Sequence, residues 1–313
     1  MCGCGWKSGP FGATMAAMKI VVAGASGMLG GALTVALRDS GHEVVGLGRR
    51  ADDGLHGWDP ARGALDPALL DGAGAVVNLA GAGVADGRWT AARQAEILES
   101  RVGSTRLLVE TMAGLPVRPA VFVCASASGF FGDTGEVAMS EEGAAGAGFL
   151  AGVCQRWEAE AEAATRLGVR VAMMRLGVVL SPRGGALGKM LPVFRAGLGG
   201  PAGNGRQWVS WIAIDDAVAA FVHAIQTESL EGPVNTAAPE PVRNSDLARV
   251  LARVLGRPAL VPAPAAALRV MFGRMADETV LQSARLIPAK LRRSGFVFRF
   301  EHLEPALRHV LGK

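Results

Sequence analysis

The chain has 313 residues, 32 Lys and Arg against 28 Asp and Glu, a formal net charge of +4, and half of its residues in the apolar class with only 19% charged. That composition supplies a sizeable core, in one large domain or two smaller ones, and excludes a disordered tail protein. No basic run is long enough for a nucleic-acid stripe, and every apolar block breaks well short of the roughly 18 residues of a membrane span, so neither partner is expected.

Residues 1–17 hold a single lysine, Lys7, and no apolar run of secretory length. They read as a floppy extension, with Met18 an alternative start of translation. The four cysteines, Cys2, Cys4, Cys124 and Cys154, form no set that would complete a zinc site. Reduced thiols, no metal and a cytoplasmic location are the expectations.

Residues 19–24 (KIVVAG) are a short β-branched run, followed by a glycine turn and by apolar residues at helical spacing over 28–40, with Gly41 as a stop. Further strands are expected at 43–48, 75–80, 120–125 and 169–176, and helices at 90–112 and 149–167. Continuous apolar strands alternating with helices predict an α/β fold: a Rossmann-type, doubly wound parallel sheet covered on both faces. This core would run over 18–180, with 207–236 returning to it. A smaller C-terminal α/β lobe over 181–313 would cap a substrate, beginning with a Gly- and Pro-rich stretch at 181–206 and ending in short helices at 245–255 and 301–311. The glycines at 184–185, 199–200 and 203–205 suit either a mobile flap or plain turns.

Gly24-Ala25-Ser26-Gly27-Met28-Leu29-Gly30 closes the first strand and opens the first helix, the context of a dinucleotide fingerprint. Glycines permit the tight turn and close approach of backbone to a pyrophosphate, and the helix N-terminus offers N–H donors. Arg49 and Arg50 end the second strand, where a guanidinium suits a 2'-phosphate, so NADP(H) is favoured. Asp52 and Asp53 nearby keep NAD as the less favoured alternative.

Beyond these segments, Asn78-Leu79-Ala80-Gly81, Arg88-Trp89, Ser100-Arg101, the SASGFFG run at 126–132, Trp157-Glu158, Gly199-Gly200-Pro201 and Gln207-Trp208 through Asp215-Asp216 occur in order. From about residue 18 onward the chain resembles one branch of the extended short-chain dehydrogenase/reductases, the NAD-dependent epimerase/dehydratase family. Residues 262–312 resemble that branch's small terminal module of unknown function. The resemblance implies about seven parallel strands, a cofactor lined by Asn78, Leu79, Ala80 and Gly81, and homodimers paired through the helices at 90–112 and 149–167.

Ordinary members of that superfamily pair a serine after the fifth strand with a Tyr-x-x-x-Lys on the next helix. The tyrosine exchanges a proton with the substrate, its phenol lowered toward neutrality by the lysine charge. This sequence contains no tyrosine, and none of Lys7, Lys19, Lys189, Lys290 or Lys313 lies on that helix. Aligned on Trp157-Glu158, Gly152 and Arg156 stand at the two positions, and a guanidinium is a poor proton donor. Ser126, with Ser128 as runner-up, is the catalytic candidate that remains, together with Arg156 as an orienting cation. Both serines equally suit loop hydrogen bonding. Cys154, Glu158, Asp133 and Glu136 are weaker proton carriers, and a residue of the C-terminal lobe is a further option. Arg175, Arg206, Gln207, Trp208 and Trp211 are the candidate substrate residues, the tryptophans serving as a rigid wall or as a plug between lobes. Two functions fit: an NADP(H)-dependent oxidoreductase or epimerase-like enzyme on a small molecule with an atypical site, or a regulatory protein that senses NADPH. Sugar-nucleotide epimerisation would require a diphosphate clamp, for which Arg206 is the one candidate.

Overall fold

The computed structural model describes residues 16–51 and 54–313. The extension expected at 1–17 falls outside the described residues up to position 15, as do Cys2, Cys4, Lys7, Asp52 and Asp53.

Strand β1 (Lys19–Ala23) passes through the glycine turn into helix α1 (Met28–Asp39), and then come strands β2 (Glu43–Gly48), β3 (Leu55–Gly57) and β4 (Ala73–Asn78). Helix α2 (Ala91–Ala113), strand β5 (Val121–Ala127), helix α3 (Phe149–Glu162) and strand β6 (Arg170–Leu176) complete the expected alternation. α1 stops where sequence asks it to, because Gly41 at φ +86° takes a conformation that side chains resist. α2 begins at Thr90, whose hydroxyl accepts the Arg93 N–H at 3.2 Å. The helix expected to reach residue 167 ends at Glu162 and tightens into a 3-10 turn over Ala163–Leu167.

The chain then crosses into a second layer through β7 (Val178–Leu180), α4 (Gly185–Arg195), β8 (Trp208–Val209) and β9 (Trp211–Ala213), and returns along α5 (Ile214–Gln226) to β10 (Gly232–Thr236). After β11 (Val242–Arg243) come helices α6 (Asn244–Leu255), α7 (Ala265–Phe272), α8 (Ala289–Arg293) and α9 (Leu303–Leu311). α4 was not expected in the Gly- and Pro-rich stretch. There the glycines serve close packing as well as turning: a Cβ on Gly199 would lie 2.5 Å from the Phe194 ring, and one on Gly200 would lie 2.2 Å from the Val261 carbonyl.

Seven strands form one parallel sheet in the order β10-β6-β5-β4-β1-β2-β3. Its central strands are buried on both faces, which explains why they read as unbroken apolar runs. β9 links the two cores by strand alternation. Ile212 packs into the main core, whereas Trp211 and Ala213 face a second cluster with Leu187, Phe194 and Leu251. Among the described residues no helix is long and apolar enough to cross a membrane.

Asp216, in the first turn of α5, is buried and accepts the N–H groups of Arg299 (2.8 Å) and Phe300 (2.9 Å), pinning the final segment to the sheet layer. Desolvation pushes its pKa up to about 6. The folded state therefore holds this proton more tightly than the unfolded chain. The associated stability is present below pH 4 and is lost as pH rises through about 6, by on the order of 2 kcal/mol. Asp216→Asn should remove that slope: the unfolding free energy of the parent relative to the variant, from urea melts, should fall between pH 4 and 7. A constant difference would refute the assignment.

Candidate functional site

The order of the sheet reverses at β1, with β2 on one side and β4 on the other, and this opens a crevice at the carboxyl ends of the strands. Gly24 makes the turn at φ +79°, and a Cβ there would strike the Leu79 carbonyl carbon at 2.7 Å. Gly30 lets α1 pack on the turn, since its Cβ would sit 2.1 Å from the Gly24 carbonyl oxygen. Gly27 is the exposed N-cap of α1. No side chain caps that helix and no acid lies in its first turn, so the positive end of its dipole faces the crevice unopposed. Ala25 and Leu29 are buried in the core, so only their backbone faces the turn. Ser26 is exposed, and the half-buried Met28 reaches the lobe, its sulfur 3.4 Å from where a Cβ of Gly184 would be.

Arg49 and Arg50 are exposed at the end of β2. Arg49 borders an open depression of about 590 Å³ with Trp58, Asp59, Leu65 and Asp66. At the end of β4, Asn78 is fully buried and its side chain turns inward. Its Nδ2 donates to Thr105 Oγ1 at 2.9 Å and its Oδ1 accepts the Ala80 N–H at 3.0 Å. Asn78 thus shapes the following turn, leaving the backbone of Leu79, Ala80 and Gly81 to line the crevice.

The catalytic candidates divide. Ser126 is buried and donates to Glu158 Oε1 at 2.6 Å. The same carboxylate receives Arg175 through two bonds, from Nε to Oε1 and from Nη2 to Oε2, both at 2.8 Å. Arg175 also donates to the Glu141 carbonyl at 3.1 Å and stacks over Phe130, with Cζ 3.4 Å from the ring centre. Ser126 and Arg175, expected to touch substrate, are instead internal members of a desolvated ion pair, and Glu158 is no solvated acid. Ser128, half-buried in the 3-10 turn Ser128–Phe131, makes no side-chain hydrogen bond among the described residues.

Arg156 is exposed on α3 and is not brought to the serines. The i, i+4 pair that faces the loop after β5 is Leu150 and Cys154: a Cβ on Gly129 would lie 3.4 Å from Leu150 Cβ and 3.8 Å from Cys154 Sγ. The alignment placing Gly152 and Arg156 in the tyrosine and lysine positions is therefore displaced by two residues. Burial pushes the Cys154 thiol up to about 12, which leaves it inert near neutral pH. Asp133 is spent on the Gly135 and Ser283 amides. Arg243 and Trp208 hold the Glu136 carboxyl at about 2, so it carries no proton near neutrality.

The candidate substrate residues are scattered. Gln207 is buried and ties the Ala202 and Val280 carbonyls together, and the fully buried Trp211 donates to the Glu240 carbonyl. Trp208 lies between Arg243 and Arg285, with Cζ distances of 3.9 and 4.4 Å, and Arg206 is exposed. One contact had no sequence signal. Glu278, in a π-helical turn at Ala276–Val280, accepts the Leu150 N–H at 2.8 Å and so caps α3 from a point 128 residues downstream.

These features define a Rossmann-type protein with a nucleotide-binding crevice and a second, C-terminal layer. The NAD dependent epimerase/dehydratase family model matches residues 20–236, and a domain of unknown function (DUF1731) matches residues 263–310. The chain belongs to the NAD dependent epimerase/dehydratase family. It is 41% identical over 299 residues to epimerase family protein Mb2239 of Mycobacterium bovis, spanning 95% of this chain and 98% of that one. The crystal structure of human epimerase family protein SDR39U1 (isoform 2) with NADPH superposes with a TM-score of 0.86 at 32% identity, over 94% of this chain and 99% of that one. A nucleoside-diphosphate sugar epimerase from Corynebacterium glutamicum gives 0.78 at 35% identity, over 95% of this chain and 59% of that one.

Removing one partner of the buried pair strands the other charge in the interior. Arg175→Met should cost about 3–5 kcal/mol of unfolding free energy, measured by chemical denaturation, and Arg175→Met combined with Glu158→Leu should recover part of it. An Arg175→Met variant as stable as the parent would show that the pair is solvated.

Proposed function

We propose that this chain binds NADP(H) along the crevice at the ends of β2, β1, β4 and β5, and uses it as an oxidoreductase or epimerase-like enzyme on a small molecule without the Tyr-x-x-x-Lys relay. The observation that carries this reading is the α1 N-terminus, uncapped, free of acids and reached by way of Gly27. The residues fit the cofactor: the exposed turn at Ser26 and Gly27 offers backbone N–H groups to a pyrophosphate, and Arg49 and Arg50 offer guanidinium forks to a 2'-phosphate. The presence of NADPH in the related human structure supports the choice over NAD.

The bound cofactor would supply or accept a hydride. The protein's part is to orient the substrate and exclude water, with Ser128 the hydroxyl open to hydrogen-bond a carbonyl or alcohol. Met28 meeting Gly184, and Lys189 pairing with Asp86 at 2.8 Å, bring the lobe across the crevice. A second reading, a protein that senses NADPH without turnover, is favoured by Leu150 and Cys154 standing where a proton relay would stand.

Gly27→Asp should abolish NADPH binding in calorimetry, because a carboxylate would oppose the pyrophosphate at the helix end. Arg49→Ala with Arg50→Ala should lower the preference for NADPH over NADH by about ten-fold or more, the worth of a charge-assisted hydrogen bond. No heat with any form of the coenzyme would refute the reading. Consumption of NADPH with a panel of carbonyl compounds would select the enzyme, and tight binding without turnover would select the sensor.

A further inference from the structure

Two arginines close on one indole in the C-terminal layer. Trp208, the first residue of β8, has Cζ of Arg243 3.9 Å and Cζ of Arg285 4.4 Å from its ring centre, and attraction between cation and ring holds both guanidiniums there. The carboxylate they share is that of Glu136. Arg243 grips it with a fork, Nη1 to Oε1 at 2.9 Å and Nη2 to Oε2 at 2.7 Å, and the Trp208 indole N–H donates to Oε2 at 3.0 Å. Arg285 donates from Nη1 to the Glu136 carbonyl at 2.9 Å and makes no ion pair of its own among the described residues. Asp246, the other acid that Arg243 feels, is paired with Arg249.

This is the geometry of an anion site filled from within. Three donors converge on two oxygens, yet the Glu136 side chain is 71% exposed. The backbone around it is held by other groups: Asp133 accepts the Gly135 and Ser283 N–H groups, Thr134 Oγ1 donates to the Ser283 carbonyl and accepts the Arg285 N–H, and the Met139 N–H donates to the Arg285 carbonyl. The Glu136 side chain can therefore rotate into water without moving the loop. Water competes for both charges of an exposed pair, so the contact that holds it is weak. Charge is unbalanced as well. Two guanidiniums face one carboxylate, and Arg206, whose carbonyl accepts a bond from Arg243, adds an exposed third cation in the same segment.

We propose that the recess formed by Trp208, Arg243 and Arg285 binds the phosphoryl group of a small phosphomonoester, and that Glu136 is an internal carboxylate that occupies it until such a ligand displaces it. Guanidinium forks match the oxygens of a phosphate as they match those of a carboxylate. Charge decides between the two. A phosphomonoester carries about −1.5 to −2 near neutral pH and offers three acceptor oxygens, so it satisfies Arg285 as well as Arg243, whereas a carboxylate carries a single charge. The recess uses none of the residues assigned to the cofactor, and the inference stands independently of the NADP(H) reading.

The test is nuclear magnetic resonance on the isotope-labelled full chain, following the Trp208 indole N–H, which is assigned by its loss in Trp208→Phe. The probes, at constant ionic strength and near neutral pH, are phenyl phosphate, inorganic phosphate and benzoate. Phenyl phosphate should shift the resonance saturably, with benzoate at least about ten-fold weaker, and Arg243→Gln and Arg285→Gln should each weaken phenyl phosphate about ten-fold. Glu136→Ala, which removes the internal competitor, should tighten it about three-fold. Arg285→Gln serves if Arg243→Gln does not fold. The indole reports this recess alone, so phosphate held at Arg49 and Arg50 would leave it unmoved. No saturable shift, an equal response to benzoate, or no tightening in Glu136→Ala would overturn the proposal, and a response to inorganic phosphate without one to phenyl phosphate would overturn the ester as its ligand.

Discussion

The desolvated pairing of Glu158 with Arg175 organises the β5 and β6 end of the crevice. Four elements meet in it: α3 through Glu158, β6 through Arg175, β5 through Ser126 and the 141 loop through its carbonyl. An ion pair this deep is held by its full set of hydrogen bonds, because each charge has given up its water. It sets the register of α3 against the sheet, and so decides which side chains of α3 face the crevice. It also occupies Ser126, near the end of β5, and leaves Ser128 outside it.

The two halves of the crevice consequently have different characters. The nucleotide side keeps each device that backbone can provide: a positive-φ glycine, a helix packed tightly on the turn, and a helix N-terminus left without a cap. On the side toward β5, the residues that face the loop are Leu150 and Cys154, beside the buried pair of Glu158 and Arg175. The C-terminal segments are tied to the sheet layer through Glu278, which caps α3, and Asp216, which holds the last segment. A crevice of this kind has the backbone devices that suit a nucleotide.

Most of the sheet was legible because its signals are local. Residues 43–48 form a strand as expected, and Gly41, Thr90 and Gly24 act where short-range stereochemistry requires a stop, a cap and a turn. Legibility was lost where distant segments meet. The brief strand at Leu55–Gly57 and helix Gly185–Arg195 have weak local signals and are completed by packing. Which alternative holds for Ser126, Arg175, Gln207 and Trp211 was not legible for the same reason: a residue near a strand end looks alike in sequence whether it faces a ligand or a buried partner.

Composition and motif order by themselves determined the parallel α/β core, the glycine turn and the absence of a tyrosine-based proton relay, since each depends on residue type and spacing along a few turns of chain. Tertiary structure alone decided which polar groups are spent and which are left over. Burial removes water from a group, and only the three-dimensional neighbours then settle whether it is paired, as Glu158 is with Arg175, or left without a partner among the described residues, as Glu141 Oε2 is.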